Sequence, residues 1–293
     1  NIMDNFLSIK EAVQRYSASC DGKIKTPFDK LFIKAMLAGM MIAMGAAGSS
    51  VACHAIGNVG LARLVAGVVF PVGLMMVILT GAELFTGDCL MVMAALDKRI
   101  KVSLMIRNLV IVFLSNLAGS LIIDVLIFYS GNLDYSDGGL GAYTIKVALA
   151  KATITPVKGI TSGILCNFLV CMAILMGASA IEAAGKIFAI WFPIFAFVIG
   201  GFEHIVANMF YIPTGMLAAT NPTYVAKAEE LYGITSEQLQ SLDIGGLLQN
   251  FIPVTIGNIL GGMLFIGSTE QIMNYREIGF DRKSCLLYTS PSP

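Results

Sequence analysis

The chain has 293 residues, of which 56% are hydrophobic and only 13% are charged, and its mean hydropathy is +0.78. A soluble domain carries about 25% charged residues, so this composition predicts an integral membrane protein in contact with lipid. Nineteen basic and nineteen acidic side chains balance each other, which argues against a nucleic-acid-binding protein. The six cysteines and two histidines lack the spacing of a disulfide framework or a metal site, and no cofactor is expected.

Uncharged runs predict six membrane crossings, because a helix needs about 20 mainly apolar residues to span the hydrocarbon core. The second and fifth crossings are too long for one plain helix, and the segments 81–83 and 200–204 interrupt them. Each is therefore predicted to be a broken helix. The predicted crossings are 28–56, 61–97, 102–130, 156–179, 185–218 and 247–270.

The basic residues predict the orientation of the chain in the membrane. They are concentrated within 10–34, 98–107 and 276–283, and six crossings put all three groups on one side. Because Lys and Arg are enriched in cytoplasmic loops, this side is predicted to be the cytoplasm. We therefore expect a cytoplasmic N-terminal segment, 1–27, without a signal peptide, a transmembrane domain, 28–274, and a cytoplasmic tail, 275–293.

The two halves of the transmembrane domain, about 28–130 and 156–270, repeat one pattern of breaks and polar residues. Three crossings per half invert the second copy, and inverted repeats with matching broken helices point to a transport site near the midplane. We expect the repeated glutamates to accept hydrogen bonds from the backbone N–H groups freed at the breaks and the repeated asparagines to tie helices together. The predicted scaffold of the broken helices is Glu83, Leu84, Phe85, Asn116, Glu203 and Asn258.

The segments 81–86 (GAELFT) and 201–209 (GFEHIVANM) resemble the two signature segments of the formate/nitrite transporter family. The resemblance covers about 28–269, and the chain is similar to the hydrosulfide-channel branch of that family. It implies an aquaporin-like protomer of six helices with its own pore, assembled as a homopentamer in the lipid of a bacterial cytoplasmic membrane. Such a protein passes small monovalent anions of weak acids, such as hydrosulfide, formate and nitrite, and is not an enzyme.

The resemblance also implies roles for individual residues. The central pore histidine corresponds to His204, the pore threonine to Thr86 and the pore asparagine to Asn208. The lysine that faces the outer vestibule corresponds to Lys151. Two hydrophobic constrictions, which can gate a pore by dewetting, correspond to Leu74 on the inner side and to Phe70 with Phe197 on the outer side.

The chemistry of these residues leaves several roles open. His204 could couple transport to protons as a relay, or respond to the anion as a donor. The Thr86 hydroxyl could donate to the anion or to His204. Lys151 could attract anions or be a lysine that reaches the membrane surface.

Three alternative functions can be weighed against an anion channel, of which a non-transporting membrane scaffold would leave the paired breaks unexplained. The first is a neutral small-solute channel of aquaporin-like architecture, but the paired Asn-Pro-Ala motifs of such pores are absent from the sequence. The second is a membrane-embedded enzyme, which would need a nucleophile with a base, or metal ligands. A single midplane histidine beside Glu203 is thin support for that chemistry.

Overall fold

The structure is a computed structural model that describes residues 6–274. Over this range it contains helices and turns but no β-strand. Ordered along the chain, the helices are α1 (Ile9–Lys25), α2 (Phe28–Cys53), α3 (Val59–Thr80), α4 (Phe85–Leu96), α5 (Val102–Tyr129), α6 (Gly139–Ala152), α7 (Pro156–Ser179), α8 (Ala183–Gly200), α9 (Ile205–Ala218), α10 (Pro222–Tyr232), α11 (Ser236–Leu239) and α12 (Ile244–Asn274).

Six of the helices described between residues 6 and 274 are long and apolar enough to cross a membrane, namely α2, α3, α5, α7, α8 and α12. The shorter apolar helices α4 and α9 continue α3 and α8 beyond the two breaks. The predicted all-α fold with two broken helices is therefore confirmed. The predicted segment 275–293, with its basic residues, lies outside the described residues.

Each break begins where a glycine turns the chain out of the helix. Gly81 ends α3 with φ +71°, and Gly201 follows α8 with φ +67°. A residue with a Cβ pays a steric cost in this left-handed conformation, whereas glycine does not. The local sequence therefore explains why both helices end at equivalent points of the repeat.

The two halves pack their helices in the same way. In the first half α2 packs on α5, and in the second half α7 packs on α12. A Cβ at Gly119 would overlap the carbonyl of Met36, and a Cβ at Gly261 would overlap the carbonyl of Ile164. Small residues at these crossings let the helix backbones approach closely. The main cluster of buried apolar side chains surrounds the two breaks.

The N-terminal segment contributes more structure than its polar composition predicts. Ser8 and Glu11 form a capping box that starts α1, and the helix packs on α7, α4 and α5. The backbone N–H of Leu7 donates to the carbonyl of Ser179 over 2.8 Å. Helix α1 is thus docked against one end of the transmembrane domain.

Candidate functional site

The first break is closed by the side chain of Asn116 on α5. Its Oδ1 accepts from the backbone N–H of Phe85 over 3.0 Å, and its Nδ2 donates to the carbonyl of Glu83 over 3.0 Å. The same Nδ2 donates to the carbonyl of Ala35 on α2 over 2.6 Å. One side chain therefore satisfies both ends of the break and fixes it to a neighbouring helix.

The second break is closed in the same manner by Asn258 on α12. Its Oδ1 accepts from the N–H of Ile205 over 2.8 Å, and its Nδ2 donates to the carbonyl of Glu203 over 2.9 Å. Its Nδ2 also donates to the carbonyl of Gly163 on α7 over 2.8 Å. The two asparagines have the same roles at the same places in the repeat.

The expectation that the glutamates would accept from the free N–H groups is wrong. Among the described residues, the carboxylates of Glu83 and Glu203 bind lysine side chains instead. An open turn of helix presents both donors and acceptors, and an amide side chain can satisfy both, whereas a carboxylate only accepts. This explains why Asn116 and Asn258 close the breaks.

A buried polar cluster, the second-break cluster, consists of Glu203, Lys151, Asn208 and Asn250. The Lys151 ammonium donates to Glu203 Oε1 over 2.8 Å, while Asn208 and Asn250 donate to Oε2 over 2.6 and 3.1 Å. The Lys151 side chain is only 15% exposed, so the alternative of a lysine that reaches the membrane surface is wrong. Because two amides share the carboxylate, its charge is only partly committed to the ammonium.

The resemblance implies that Asn208 is a pore residue, but its side chain has no donor left to offer an anion. Its Nδ2 donates to Glu203 and, over 2.8 Å, to the Oδ1 of Asn250. Both amide hydrogens are therefore used inside the cluster, and the Oδ1 that remains can only accept. Asn208 orients Glu203 and has no hydrogen left for an anion.

A matching cluster, the first-break cluster, consists of Glu83, Lys23, Asp88 and Asn108. The Lys23 ammonium, from the docked helix α1, donates to Glu83 and, over 2.6 Å, to Asp88 Oδ1. Asn108 Nδ2 donates to Asp88 Oδ2 over 3.3 Å. Burial lowers the pKa of Lys23, but the charge of Asp88 and its other neighbours outweighs burial and raises that pKa well above its usual value.

Sequence reasoning missed Lys23, although a signal was present. Lys23 precedes Ala35 by twelve residues, and Lys151 precedes Gly163 by twelve. Ala35 and Gly163 are the residues whose carbonyls accept from the asparagines that close the breaks. Extending the repeat into the segment before the first crossing would have identified Lys23.

Thr86 and His204, one from each broken helix, are in direct contact. The Thr86 Oγ1 and the His204 Nε2 are 2.8 Å apart, and both side chains are buried. The backbone N–H of Ala207 donates to His204 Nδ1 over 3.0 Å, so Nδ1 carries no proton and Nε2 of the neutral ring does. The Nε2–H therefore donates to the threonine oxygen.

This direction of donation leaves the Thr86 hydroxyl hydrogen available. Within residues 6–274, the Thr86 hydroxyl has no hydrogen-bond partner other than His204. The backbone carbonyl of Thr86 is held by Asn167 on α7, whose Nδ2 donates to it over 3.2 Å and to the carbonyl of Asn258 over 2.6 Å. Asn167, which sequence reasoning did not assign a role, therefore links the two halves beside this pair.

Aromatic rings lie next to His204. The rings of Phe70 and Phe197 meet edge to face with centroids 5.5 Å apart, and Phe197 stacks on His204 at 5.9 Å. Leu74 is buried one helical turn after Phe70. The polar pair thus has an apolar boundary, and the division into outer and inner constrictions stays a prediction.

Comparison with known proteins was made for the sequence and for the fold. The sequence model of the family described as formate/nitrite transporter matches residues 10–271. A probable formate transporter of Methanothermobacter thermautotrophicus is 36% identical over 280 residues, which cover 89% of this chain and 95% of the relative. Formate channel FocA of Escherichia coli (strain K12) is 34% identical over 253 residues, with 85% and 87% coverage.

Solved structures agree with the sequence comparison. A pentameric formate channel with formate bound matches with a TM-score of 0.74 and 29% identity, covering 84% of this chain and 97% of that one. An FNT family ion channel matches with a TM-score of 0.75 and 26% identity, with 88% and 97% coverage. The similarity to the hydrosulfide-channel branch stays a prediction. This multi-pass membrane chain belongs to the formate/nitrite transporter family, whose members are channels and transporters and not enzymes.

Proposed function

We propose that the protein is a channel for small monovalent anions of weak acids, with formate as the first candidate and nitrite and hydrosulfide as further ones. Relatives named for formate support the choice of formate. The solved pentameric formate channel supports assembly as a homopentamer, in which we assign one pore to each protomer. The basic residues of 10–34 and 98–107 support cytoplasmic termini, and the family resemblance supports a bacterial cytoplasmic membrane.

The observation that carries this proposal is the contact between Thr86 and His204. Because His204 donates to the threonine oxygen, Thr86 can direct its own hydrogen to an anion. Donors that are already oriented in a water-poor site stabilise negative charge more strongly than donors in water. The pair is therefore suited to receive one small anion or its conjugate acid between the two breaks.

The apolar rings beside the pair create an energy barrier to the passage of an anion. Moving a bare ion into a medium of low dielectric costs on the order of 20 kcal/mol in the idealised limit. A weak acid avoids much of that cost by taking a proton from water at one mouth, crossing Phe70 and Phe197 as a neutral molecule, and releasing the proton to water at the other mouth. No step in this scheme requires a change in the charge of His204.

The direction of the hydrogen bonds favours His204 as a donor over His204 as a proton relay. A relay needs one ring nitrogen to receive a proton while the other releases one. Here Nδ1 accepts from the N–H of Ala207 and caps α9, so its protonation would break that cap. Proton coupling through His204 is therefore the less favoured form of the mechanism.

Lys151 is the lysine suited to attract an anion, because Lys23 is outnumbered by the carboxylates of Glu83 and Asp88. Lys151 and Lys23 each pair with the glutamate of one break. In the second-break cluster the carboxylate is shared with two amides, which leaves part of the positive charge of Lys151 to act on an approaching anion. Clefts that carry one sign of charge raise the local concentration of the opposite ion.

The test is the flux of formate, nitrite, hydrosulfide and glycerol into vesicles that contain the native protein, Thr86→Val or Thr86→Ser. The valine variant keeps the shape but loses the hydroxyl, so we expect anion flux to fall at least about tenfold. The serine variant keeps the hydroxyl and is the matched control, with flux close to native. Glycerol flux as fast as formate flux would favour the neutral-solute channel and contradict the proposal.

A further inference from the structure

Three buried oxygen-bearing side chains lie away from the pore pair, where α5 packs on α9. Asp124 and Ser120 are one turn apart on α5, and Thr214 is on α9. All three are completely buried, and none of their side-chain oxygens makes a well-formed hydrogen bond within the described residues. The side chains of Thr214 and Asp124 are close enough to interact.

No opposite charge accompanies Asp124 in the part of the chain that the structure describes. It takes part in none of the ion pairs of residues 6–274. The neutral Thr214 faces it from α9. The titratable side chain on α9 is Tyr211, whose ring centroid is 5.2 Å from the Lys151 ammonium. An ionised carboxylate in such a place would be a buried and uncompensated charge, which is very costly.

The titratable groups on the other packed elements are engaged elsewhere. On the turn after α5, Asp134 accepts from the Tyr224 hydroxyl over 2.6 Å, and at the end of α2 the Cys53 thiol meets the Tyr143 hydroxyl at 3.4 Å. The Lys23 ammonium of α1 and the Asp88 carboxylate of α4 lie toward the other end of α5, where Asn108 donates to Asp88. Asn108 precedes Asp124 by sixteen residues, about 24 Å along a helix.

A proton would satisfy this group of atoms. A protonated carboxyl has one O–H donor and one carbonyl acceptor, and a hydroxyl has one donor and two acceptor lone pairs. Asp124 could then donate to one hydroxyl and accept from the other, so that Ser120 and Thr214 both gain a partner. An ionised carboxylate would offer acceptors alone and leave its charge without compensation.

We propose that Asp124, Ser120 and Thr214 form an intramembrane proton-binding site in which Asp124 is held as a neutral carboxylic acid between α5 and α9. The site lies ten residues after His204 on α9, about 15 Å along that helix. It therefore binds its proton separately from the proposed pore pair. Its role is to stabilise the contact that positions α9, so this proton contributes to stability and does not travel with the substrate.

The first test is infrared spectroscopy of the purified full-length protein from neutral to alkaline pH. We expect the carbonyl stretch of a protonated carboxylic acid in the native protein, persisting at pH values where exposed carboxyls are ionised. This band should be absent from Asp124→Asn and from a second variant, Asp124→Ser. Asp134→Asn, which alters a hydrogen-bonded carboxyl in the neighbouring turn, is the control and should keep the band. A native spectrum without it, or one that Asp124→Asn leaves unchanged, overturns the proposal.

The second test compares melting temperatures of the native protein and Asp124→Asn over the same pH range. The folded state holds a proton that the unfolded chain releases, so the ratio of folded to unfolded native protein should fall about tenfold per pH unit relative to Asp124→Asn. The melting temperature of the native protein should therefore fall relative to that of Asp124→Asn as the pH rises. Parallel melting curves contradict the proposal, as does a stabilisation by sodium chloride over choline chloride that the native protein shows and Asp124→Asn lacks. That last result would assign the site to a monovalent cation.

Discussion

The two broken helices have one scaffold in common but differ in the chemistry placed on it. In both, an asparagine closes the break, and a glycine three residues after it lies at a helix crossing. In both, the glutamate binds a lysine, which precedes by twelve residues the residue whose carbonyl accepts from that asparagine. These residues create a polar interruption at the equivalent position of each half of the repeat. The repeat therefore fixes where a route through the protein can form.

The differences are at positions that touch the route or set its charge. His204 occupies the place that Leu84 has in the first break, and Asn208 occupies the place of Asp88. The first-break cluster consequently has two carboxylates around one ammonium, whereas the second-break cluster has one. The lysines also differ in origin, since Lys23 comes from the docked helix α1 and Lys151 from α6. In the proposed channel, function depends on departures from this symmetry.

The largest effect is expected from removing the shared scaffold. Asn116→Leu and Asn258→Leu each remove three buried hydrogen bonds and leave the backbone N–H and the carbonyl at the break unpaired. At about 1–3 kcal/mol for each unsatisfied group, we expect both variants to be lost from the folded fraction in size-exclusion chromatography. Asn221→Leu, which removes only the cap of α10 outside the breaks, is the control and should fold. A well-folded Asn258→Leu beside an unfolded Asn116→Leu would show that the two breaks are not equivalent.

The next effect concerns the buried ion pair of the second-break cluster. Lys151→Ala leaves the Glu203 carboxylate buried without an ammonium, and we expect a loss of about 3 kcal/mol in stability. The double variant Lys151→Ala with Glu203→Gln removes the charge as well, so its melting temperature in detergent should return toward native. Equal melting of the single and double variants would contradict a buried, compensated pair.

A smaller effect is expected from replacing His204, one of the residues at which the two breaks differ. Asparagine is a good helix cap, so His204→Asn can keep the hydrogen bond from Ala207 while losing the imidazole N–H that orients Thr86. We expect the variant to fold and its formate flux to fall about tenfold, the equivalent of one oriented hydrogen bond. The relative pH dependence of flux should match native on both sides of the ordinary histidine pKa of about 6.5. Loss of that dependence would identify His204 as the proton relay after all.

The smallest effect is expected from removing a carboxylate from the first-break cluster or adding one to the second-break cluster. Asp88→Asn makes the first-break cluster resemble the second, and Asn208→Asp makes the reverse change. One unit charge about 10 Å from an anion in water is worth about 0.4 kcal/mol, or about twofold in local concentration. At low salt, formate entry past the first-break cluster should rise about twofold in Asp88→Asn, and entry past the second-break cluster should fall about twofold in Asn208→Asp. Both changes should be smaller at high salt. Changes that are independent of salt would point to altered packing.

Much of the fold could be predicted because its signals are local. Runs of apolar residues determine the crossings, and the glycines at 81 and 201 determine where two of them break. The spacing of eight residues from Asn108 to Asn116, and again from Asn250 to Asn258, indicated a repeat before any contact was known. Lys23 was missed because it precedes the first crossing, where a polar composition gave no reason to extend the repeat.

The roles of individual site residues could be predicted only in part, because they depend on contacts between distant segments. Thr86 and His204 are 118 residues apart, and Lys23 and Glu83 are 60 apart. The family resemblance brought Thr86 and His204 into one site, but the direction of their hydrogen bond follows from the N–H of Ala207, which only the folded turn provides. Asn208 was assigned to the pore, and the folded cluster uses both of its donors instead.

The sequence by itself therefore determined that this chain is a membrane protein with two interrupted helices in an inverted repeat, because hydrophobicity, glycine and spacing act along the chain. Tertiary structure alone decided which carboxylates Lys23 and Lys151 bind, which nitrogen of His204 has the proton, and that Asp124 is buried without a counter-charge among residues 6–274. The physical reason is that hydrogen bonds and ion pairs require distances near 3 Å. Such distances between remote residues are set by how helices cross.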